Sequence, residues 1–561
     1  MVSCLCSVDV LDQAGSYAYD LGIIDSASEL PDHAIPGCPL SSEGLLFIRN
    51  QLENCVSNPG HDCEPPLTIE ITRWPARVLE IYHNSVVLVD FDSDVMPGKF
   101  AALSYCWGSP SELQLKPPYK AVASTVQDLR SGISAAELPL TIQQALLVCK
   151  WLDIRYIWID SLCILQDSAQ DWETEATKME TVYSMSKVTI IAGSSTSCHS
   201  GFLGVDLHSV QLRTPLDASF QLTASTLCTS GFHKLKREGH PYDPLDTRGW
   251  TFQEEFLSSR YLKFTKDDIQ WKCSAGSTCM CGQPASEDYH GLWGETHPTI
   301  INQRPWESLA EEFSHRGFTK DTDKLVAISS LAKKLAPEFP APNGQAAYVA
   351  GLWRSKLVQQ LSWYVFDKLG RCPDNYIAPS FSWASLNFDE GGISFAPILT
   401  HFFCRVLDVG TTLVFEGNEF GSVSSGYVSL QGPLISCAVL LRLDSGGCIE
   451  EPRLVIKQKM APKLEVGATN FDCPLCECVL DTGCESLQRS RGLEHSAVGG
   501  FSAGLLILGQ YDHGHLYCLI LGQLNRNEYQ RIGHVVLGYP GAKGKSVAKK
   551  FKAWRKDVRI S

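Results

Sequence analysis

Buried carboxylates give the strongest sequence signal for chemistry in this chain. Glu175 falls within the apolar stripe of a helix predicted over residues 166–183. Asp160 lies within the apolar stretch YIWIDSLCIL, residues 156–165. A carboxylate seldom leaves water without a partner or a function, because the loss of hydration is costly. The pair predicts a site with perturbed acidity or, alternatively, a structural arrangement in which Asp160 caps a helix and Glu175 pairs with an arginine such as Arg248.

The elements around these carboxylates alternate between strand and helix. Apolar runs at 100–105, 155–165 and 188–192 predict buried strands, and residues 141–152 and 166–183 predict the helices between them. This alternation is typical of an α/β domain with a parallel sheet. In such a domain ligands bind beyond the carboxyl ends of the strands, where both carboxylates are expected to lie.

The rest of the chain predicts less regular structure. Residues 1–95 form an N-terminal segment with loops, one helix near 42–56 and a β-hairpin over 78–90. The α/β domain takes up 96–264, and residues 265–561 form a mixed, strand-rich region. In the second half of the chain, helices are predicted near 250–258, 323–335 and 348–365, with a strand at 261–264.

Charge and composition exclude several functions. The net charge of −14 disfavours a nucleic-acid binder, because phosphate binding requires a basic face. No apolar stretch is long enough for a transmembrane helix, and the first residues lack the pattern of a secretory signal. The 22 scattered cysteines therefore predict reduced thiols in the cytoplasm, without disulfides.

Three groups of residues have the ligand types of a zinc site without its usual spacing. They are Cys473 with Cys476, Cys478 and Cys484; Cys273 with Cys279 and Cys281; and Cys55 with His61 and Cys63. Zinc sites usually combine two well-separated ligand pairs. We predict no metal and no cofactor, and the first group is left open.

Three stretches resemble the core motifs of the fungal heterokaryon incompatibility (HET) domain. They are FAALSYCWGS at 100–109, the stretch 138–195 that contains YIWIDSLCILQDSAQDWETE, and TRGWTFQEEFLSSRYLKF at 247–264. Segments such as PARVLEI, YVAGLWRSKL and APSFSWASL resemble the flanks of long HET proteins. One departure is Glu255, which stands where many members have a basic residue.

The resemblance implies a role in fungal nonself recognition, in which the HET domain triggers cell death. The HET family is distantly similar to TIR domains, which have a flavodoxin-like α/β fold, and some TIR domains cleave NAD⁺. Their catalytic glutamate lies in a W-x-x-E type motif, and the stretch DWETE at 171–175 places it on Glu175. The resemblance thus implies Glu175 as the catalytic residue. The expected substrate-binding residues are Ser104, Tyr105, Trp107, Asp160 and Arg248.

Two interpretations of function stay open. In the first, the protein is a cytoplasmic HET effector that cleaves NAD⁺ as a substrate. In the second, the HET domain is a non-catalytic signalling module that acts by self-association, since a TIR-like fold does not guarantee the activity. Both expect a homo-oligomer formed through the HET domain and an unknown recognition partner. Neither expects nucleic acid or a membrane.

Overall fold

The chain divides into two compact units, Met1–Gln303 and Arg304–Ser561. A computed structural model describes residues 6–12, 15–21, 42–58, 60, 61, 63, 74–91, 99–204, 209–213, 221–225, 243–266, 268–280, 305–342, 345–366, 370–389, 391–443, 449–456, 465–471, 499–511, 515–525, 528–538, 551 and 554–561.

The first unit alternates strands and helices. Its strands are β1 (Cys6–Asp12), β2 (Gly15–Leu21), β3 (Arg77–Ile81), β4 (Ser85–Asp90), β5 (Phe100–Ser104), β6 (Ile133–Ser134), β7 (Tyr156–Trp158), β8 (Val188–Ile191), β9 (Ser209–Arg213), β10 (Gln221–Ser225), β11 (Arg260–Phe264), β12 (Ile269–Cys273) and β13 (Gly276–Cys279). Its helices are α1 (Ser42–Ser57), α2 (Pro110–Leu115), α3 (Val126–Ser131), α4 (Leu140–Trp151), α5 (Asp160–Cys163), α6 (Ala169–Ala176), α7 (Met179–Met185) and α8 (Gly249–Leu257). Short 3₁₀ helices span Ala135–Glu137 and Pro244–Thr247.

The described strands form a nine-stranded sheet around a parallel core, in the order β13-β12-β11-β8-β5-β7-β3-β4-β6. The pairs β5–β7, β5–β8 and β8–β11 are parallel, and the pairs towards both edges are antiparallel. Within the core the first strand in the chain, β5, lies between the second and the third. This is the strand order of a doubly wound α/β sheet, with its switch point between β5 and β8. The predicted parallel α/β core is confirmed.

Several local predictions are confirmed. Strands β3 and β4 form the hairpin predicted over 78–90. Every residue of β5 and β8 is buried, as expected for central strands covered on both faces. Helix α8 and strand β11 follow in the predicted order.

The strand predicted over 155–165 is much shorter than expected. It ends at Trp158, and Asp160 begins the single-turn helix α5. The Asp160 carboxylate accepts a hydrogen bond from the backbone N–H of Ser161 at 2.7 Å. A short acidic side chain that bonds its own backbone competes with strand pairing, so the apolar pattern alone overestimated the strand.

The helix predicted over 166–183 consists of two helices, α6 and α7. The break lies at Thr177 and Lys178, where the Thr177 hydroxyl donates to the carbonyl of Thr174 at 2.8 Å. The amide of Lys178 donates to the carbonyl of Glu175, three residues back rather than four. The three-residue spacing of this backbone bond departs from the α-helical pattern, so α6 ends at Ala176 and α7 begins at Met179.

The second unit is rich in strands, as predicted. Its helices are α9 (Trp306–Ser314), α10 (Lys324–Leu335) and α11 (Leu357–Gln360). Its strands are β14 (Tyr348–Val349), β15 (Leu352–Trp353), β16 (Trp363–Phe366), β17 (Gly392–Phe395), β18 (His401–Phe402), β19 (Arg405–Leu413), β20 (Val423–Leu443), β21 (Ile449–Ile456), β22 (Glu465–Phe471), β23 (Gly499–Tyr511), β24 (His515–Gln523), β25 (Glu528–Gly538) and β26 (Arg555–Ile560). The main sheet has the order β18-β23-β24-β25-β26-β20-β19, with β21 paired to β20 and β22 paired to β25.

The helix predicted over 348–365 is wrong. The chain there forms the hairpin β14–β15, a 3₁₀ turn at Arg354–Lys356, the short helix α11 and the start of β16. Ala350 and Gly351 have φ angles of 44° and 93°, and a right-handed helix cannot continue through two such residues. A Cβ on Gly351 would also lie 2.9 Å from Nε1 of Trp383, so this turn requires glycine.

Among the described residues, no helix has the length and apolar character needed to cross a membrane.

Candidate functional site

Polar side chains gather at the carboxyl edge of the parallel strands in the first unit. Ser104 is the last residue of β5, and Tyr105 and Trp107 follow it. Asp160 comes two residues after the end of β7, and Arg248 immediately precedes α8. Parallel strands end at the same edge of their sheet, and this edge beside the switch point is where doubly wound domains bind ligands.

Asp160 is held by two donors. Nε1 of Trp107 donates to Oδ2 at 2.8 Å, and the Ser161 amide donates to Oδ1. Burial raises the pKa of Asp160, while these two hydrogen bonds and the charge of Arg248 oppose that rise. Asp160, Trp107 and Arg248 are each only partly buried, so this side of the cluster reaches solvent.

Tyr105 connects the β5 and β7 loops. Its hydroxyl donates to Oγ of Ser161 at 2.8 Å, and its carbonyl accepts from Nη1 of Arg248 at 3.1 Å. Tyr105 is buried, and burial together with the charge of Asp160 raises its pKa well above the ordinary value. The phenol therefore stays protonated and acts as a hydrogen-bond donor.

A second carboxyl group, Glu254, lies beside this cluster and is hydrogen-bonded to Ser104. It is 8% exposed and accepts a short hydrogen bond from the hydroxyl of Ser104. Burial raises the pKa of Glu254 to about 7. The bond from Ser104 opposes this rise, and the charge of Asp160 adds to it. Glu254 also has Tyr183 as a hydrogen-bonding partner. A carboxyl group in this state can gain or lose a proton near neutral pH.

Sequence reasoning missed Glu254, although a signal was present. The residue lies in TRGWTFQEEF, one of the stretches that carry the family resemblance. Its neighbours on the buried side of α8 are Thr251, Phe252 and Leu257. An acidic residue on an apolar helix face is the same kind of signal that identified Glu175.

Glu175 has the predicted burial but different neighbours from those expected. It is 1% exposed, its Oε1 lies 2.7 Å from Nζ of Lys178, and its Oε2 accepts from the amide of Ala76 at 3.0 Å. Ala76 directly precedes β3, which is antiparallel to β7, so Glu175 does lie at the edge where β7 ends. Its carboxylate contacts Lys178 and Ala76, rather than Tyr105, Trp107 or Asp160 as predicted.

Neither structural alternative holds as stated. Glu175 pairs with Lys178 instead of Arg248. Asp160 begins its own short helix and does not cap a neighbouring one. The five residues predicted to bind substrate do lie together, linked by the hydrogen bonds described above and by the β5 loop.

The arrangement combines three chemical properties. Asp160 supplies a half-buried carboxyl group, Glu254 a buried one with a pKa of about 7, and Arg248 a cation whose charge acts on both. Pairs of carboxyl groups in different environments are typical of sites that stabilise positive charge at one group and transfer a proton at another. The Trp107 ring lies beside Asp160 and offers a flat apolar surface.

The cysteine predictions have mixed outcomes. Cys473, Cys476, Cys478 and Cys484 lie outside the described residues. The expectation of no disulfide is wrong, because Cys279 is disulfide-bonded. The thiols of Cys55, Cys63 and Cys273, which belong to two of the three predicted groups, lie together.

The fold defines a doubly wound α/β domain whose polar cluster lies where such domains bind ligands. Residues 100–254, which contain the whole cluster, match the family model described as heterokaryon incompatibility protein (HET). Residues 100–254 therefore form a HET domain, and this domain implies a role in heterokaryon incompatibility. Comparison with curated proteins and with solved structures gave no match.

Proposed function

We propose that this protein is a cytoplasmic fungal effector of nonself recognition and cell death whose HET domain cleaves NAD⁺ between nicotinamide and ribose. The proposal is carried by one observation. Asp160, Trp107 and Arg248 lie together at the carboxyl edge of the parallel strands, near the buried carboxyl group of Glu254. We propose NAD⁺ as the substrate, and we also propose that the protein self-associates through the HET domain and responds to a recognition partner.

The reaction requires stabilisation of charge more than acid catalysis. The bond between nicotinamide nitrogen and ribose carbon breaks, and its electron pair passes to the nitrogen. The leaving pyridine thereby becomes neutral and needs no proton. The ribose carbon develops positive charge, as in glycoside hydrolysis, and a carboxylate beside it lowers the energy of that state. Water then adds to the carbon, and its proton passes to a carboxylate.

Each residue of the cluster has a role in this proposal. Asp160 is the half-buried carboxylate that faces the ribose, and the ring of Trp107 stacks on a flat part of the substrate. Arg248, together with the first turn of α8, binds the diphosphate, because guanidinium groups and helix N-termini both favour anions. Glu254, with its pKa of about 7, accepts the proton from water near neutral pH.

Glu175 remains the competing candidate from the motif resemblance. Its buried pairing with Lys178 is what a structural carboxylate would show. Glu175 has to lose that pairing before it can contact a substrate. A direct comparison of variants therefore separates the two assignments.

The test measures nicotinamide release from NAD⁺ by the purified full-length protein, both free and tethered at high local concentration. We expect Asp160→Asn to lower the rate by about 100-fold or more, the usual effect of removing one electrostatic stabiliser of the transition state. Glu254→Gln should reduce it by roughly 100-fold as well, since general-base catalysis contributes at least this factor. Glu175→Gln and the matched control Glu311→Gln should leave the rate unchanged at equal amounts of folded protein. Glu311 is a buried carboxyl group of the second unit.

The outcomes distinguish three conclusions. Loss of activity in Asp160→Asn and Glu254→Gln alone supports the proposal. Loss in Glu175→Gln with an unchanged melting temperature would restore the assignment made from the motif. Cell killing without NAD⁺ loss in either form of the wild-type protein would leave the self-associating, non-catalytic module as the function.

A further inference from the structure

Three thiols converge where α1 approaches β12 near the edge of the sheet, and an imidazole lies beside one of them. Cys55 lies near the end of α1, Cys63 lies in the segment that follows it, and Cys273 is the last residue of β12. All three thiols are buried, and their Sγ atoms lie within 4.8 Å of one another. Nδ1 of His61 lies 3.9 Å from Sγ of Cys273.

These distances are close to those of a tetrahedral zinc site. Thiolate sulfurs about 2.3 Å from a zinc ion lie about 3.8 Å from one another. The thiols need to move by roughly 1 Å or less to reach this geometry. Three cysteines and one histidine form a common ligand set for structural zinc, and four protein ligands leave no open position for catalysis.

Neighbouring polar groups are directed at two of the three sulfurs. The amide of Ser274 donates to Sγ of Cys63 at 3.3 Å, and the Ser274 hydroxyl lies 2.9 Å from the same sulfur. Nε of Arg260 donates to Sγ of Cys55 at 3.2 Å. Hydrogen bonds of this kind commonly support the sulfur ligands of metal sites.

Arg260 also fits the charge that such a site would have. Three thiolates and one neutral imidazole around Zn²⁺ leave a net charge of −1. Arg260 is buried and lies directly opposite Cys273 in the pairing of β11 with β12. Its guanidinium group would balance the negative charge where water cannot, and a buried cation requires such a partner.

Cys149 shows what an ordinary buried thiol looks like in this chain. It lies in α4, and burial alone raises its pKa, with no donor to its sulfur among the described contacts. The cluster of Cys55, Cys63 and Cys273 differs in having several sulfurs together and N–H groups directed at two of them.

We propose that Cys55, His61, Cys63 and Cys273 bind one structural Zn²⁺ ion. The ion joins α1 and the segment after it to the edge of the sheet that continues from the HET domain. This proposal does not depend on the proposed NAD⁺ chemistry, because none of the four ligands belongs to the cluster around Asp160.

The test measures the metal content of the purified full-length protein by mass spectrometry, with Co²⁺ as a spectroscopic probe after chelation. We expect about one zinc ion per chain and, with Co²⁺, the visible and charge-transfer absorption of a tetrahedral thiolate site. Cys63→Ser should lower the zinc content by about tenfold or more. The control Cys149→Ser should retain it. Wild-type protein with little zinc and no cobalt spectrum would overturn the proposal, as would zinc that Cys63→Ser does not remove.

Alkylation of the wild-type protein covers the case in which Cys63→Ser does not fold. The proposal expects Cys55, Cys63 and Cys273 to resist alkylation until a strong chelator is added, and then to react together. Equal labelling of these residues with and without chelator would contradict it. So would recovery of two of them as a disulfide-linked pair.

Discussion

At the scale of single residues, Glu254 shows how the protein keeps a carboxyl group buried in its core. The hydroxyl of Ser104 and the phenol of Tyr183 bond to it, and the charge of Arg248 partly offsets that of Asp160. Burial nevertheless raises its pKa from the ordinary 4.5 to about 7. Folding therefore depends on the protonation state of this single group.

The contribution of Glu254 to stability should decrease as pH rises. Because the pKa of Glu254 is higher in the folded protein than in the unfolded chain, the folded protein binds the proton more tightly. The contribution is fully present below about pH 4.5 and is lost as pH rises through about 7. A pKa shift of this size corresponds to about 3 kcal/mol of folding free energy. Glu254→Gln should therefore gain stability relative to wild type between these two pH values, as measured by melting temperature against pH.

The control for this prediction is Glu53→Gln, a change at an exposed position of α1. Its melting profile should run parallel to that of the wild type. A parallel profile for Glu254→Gln as well would show that burial does not shift the titration of that group.

The pairing of Glu175 with Lys178 gives a second prediction at this scale. Lys178 is 16% exposed at its side chain and Glu175 only 1%, so removal of the lysine leaves a buried charge with the Ala76 amide as its remaining partner. We expect Lys178→Met to destabilise the first unit by about 3 kcal/mol. The double variant Glu175→Gln with Lys178→Met should recover most of this loss, as judged from urea unfolding midpoints. Equal destabilisation in the single and double variants would show that the two side chains are not coupled.

At the scale of elements, the stretch DWETE joins α6 to the start of β3. Asp171 pairs with Arg77 at 2.5 Å and also accepts from the amide of Leu165. Glu175, one turn further along the helix, accepts from the amide of Ala76. Both acidic residues therefore hold α6 against the start of β3.

Lys263 connects three elements around α8. It lies on β11 and is buried, and its ammonium group is 2.6 Å from Asp246 in the 3₁₀ turn and 3.4 Å from Glu255 on α8. Although burial opposes its charge, the two carboxylates raise its pKa. Glu255, the departure from the resemblance noted in the sequence, thus has a partner in this chain. The pair fixes α8, and with it Arg248 and Glu254, relative to the sheet.

Replacement of Lys263 should therefore loosen this part of the domain. We expect Lys263→Met to cost about 3 to 5 kcal/mol, because two partly buried carboxylates are left facing each other. Asp246→Asn should cost less, since Glu255 still balances the lysine. Lys266→Met, at an exposed position two residues after β11, should stay within about 0.5 kcal/mol of wild type. Urea unfolding midpoints measure the stability of all three variants. Equal losses of stability in Lys263→Met and Lys266→Met would contradict the proposed role of Lys263 in joining β11 to α8.

At the scale of the whole molecule, the two units are built on different principles. The first has a parallel core whose strands are buried on both faces, and this construction leaves a carboxyl edge at which loops can gather side chains. The described part of the second is built mainly from antiparallel strands around a core that includes Val439, Leu505 and Ile520. The HET family match and the candidate site both belong to the first unit.

Much of this architecture was predictable from sequence. Uninterrupted apolar runs such as FAALS identified the parallel strands, because only strands covered on both faces lack an exposed polar side. Predictions failed where a local polar or backbone feature overrode the apolar pattern. Asp160 ended a strand early, Thr177 divided a helix, and the positive φ angles at Ala350 and Gly351 replaced a helix by a hairpin.

The sequence by itself determined that Asp160 lies beside a buried strand and that Glu175 lies on a buried helix face, since periodicity sets which side of an element a residue occupies. It could not determine the partners of these groups. Strand order and register bring the Ala76 amide to Glu175, Glu254 near Asp160, and Cys273 beside His61 at a separation of 212 residues. The pairing of Glu175 with Lys178, by contrast, is local, because the two residues are three positions apart. Local spacing fixes neighbours within one element, whereas contacts between distant elements arise only when the sheet assembles. The chemistry proposed for both sites therefore depends on the tertiary structure.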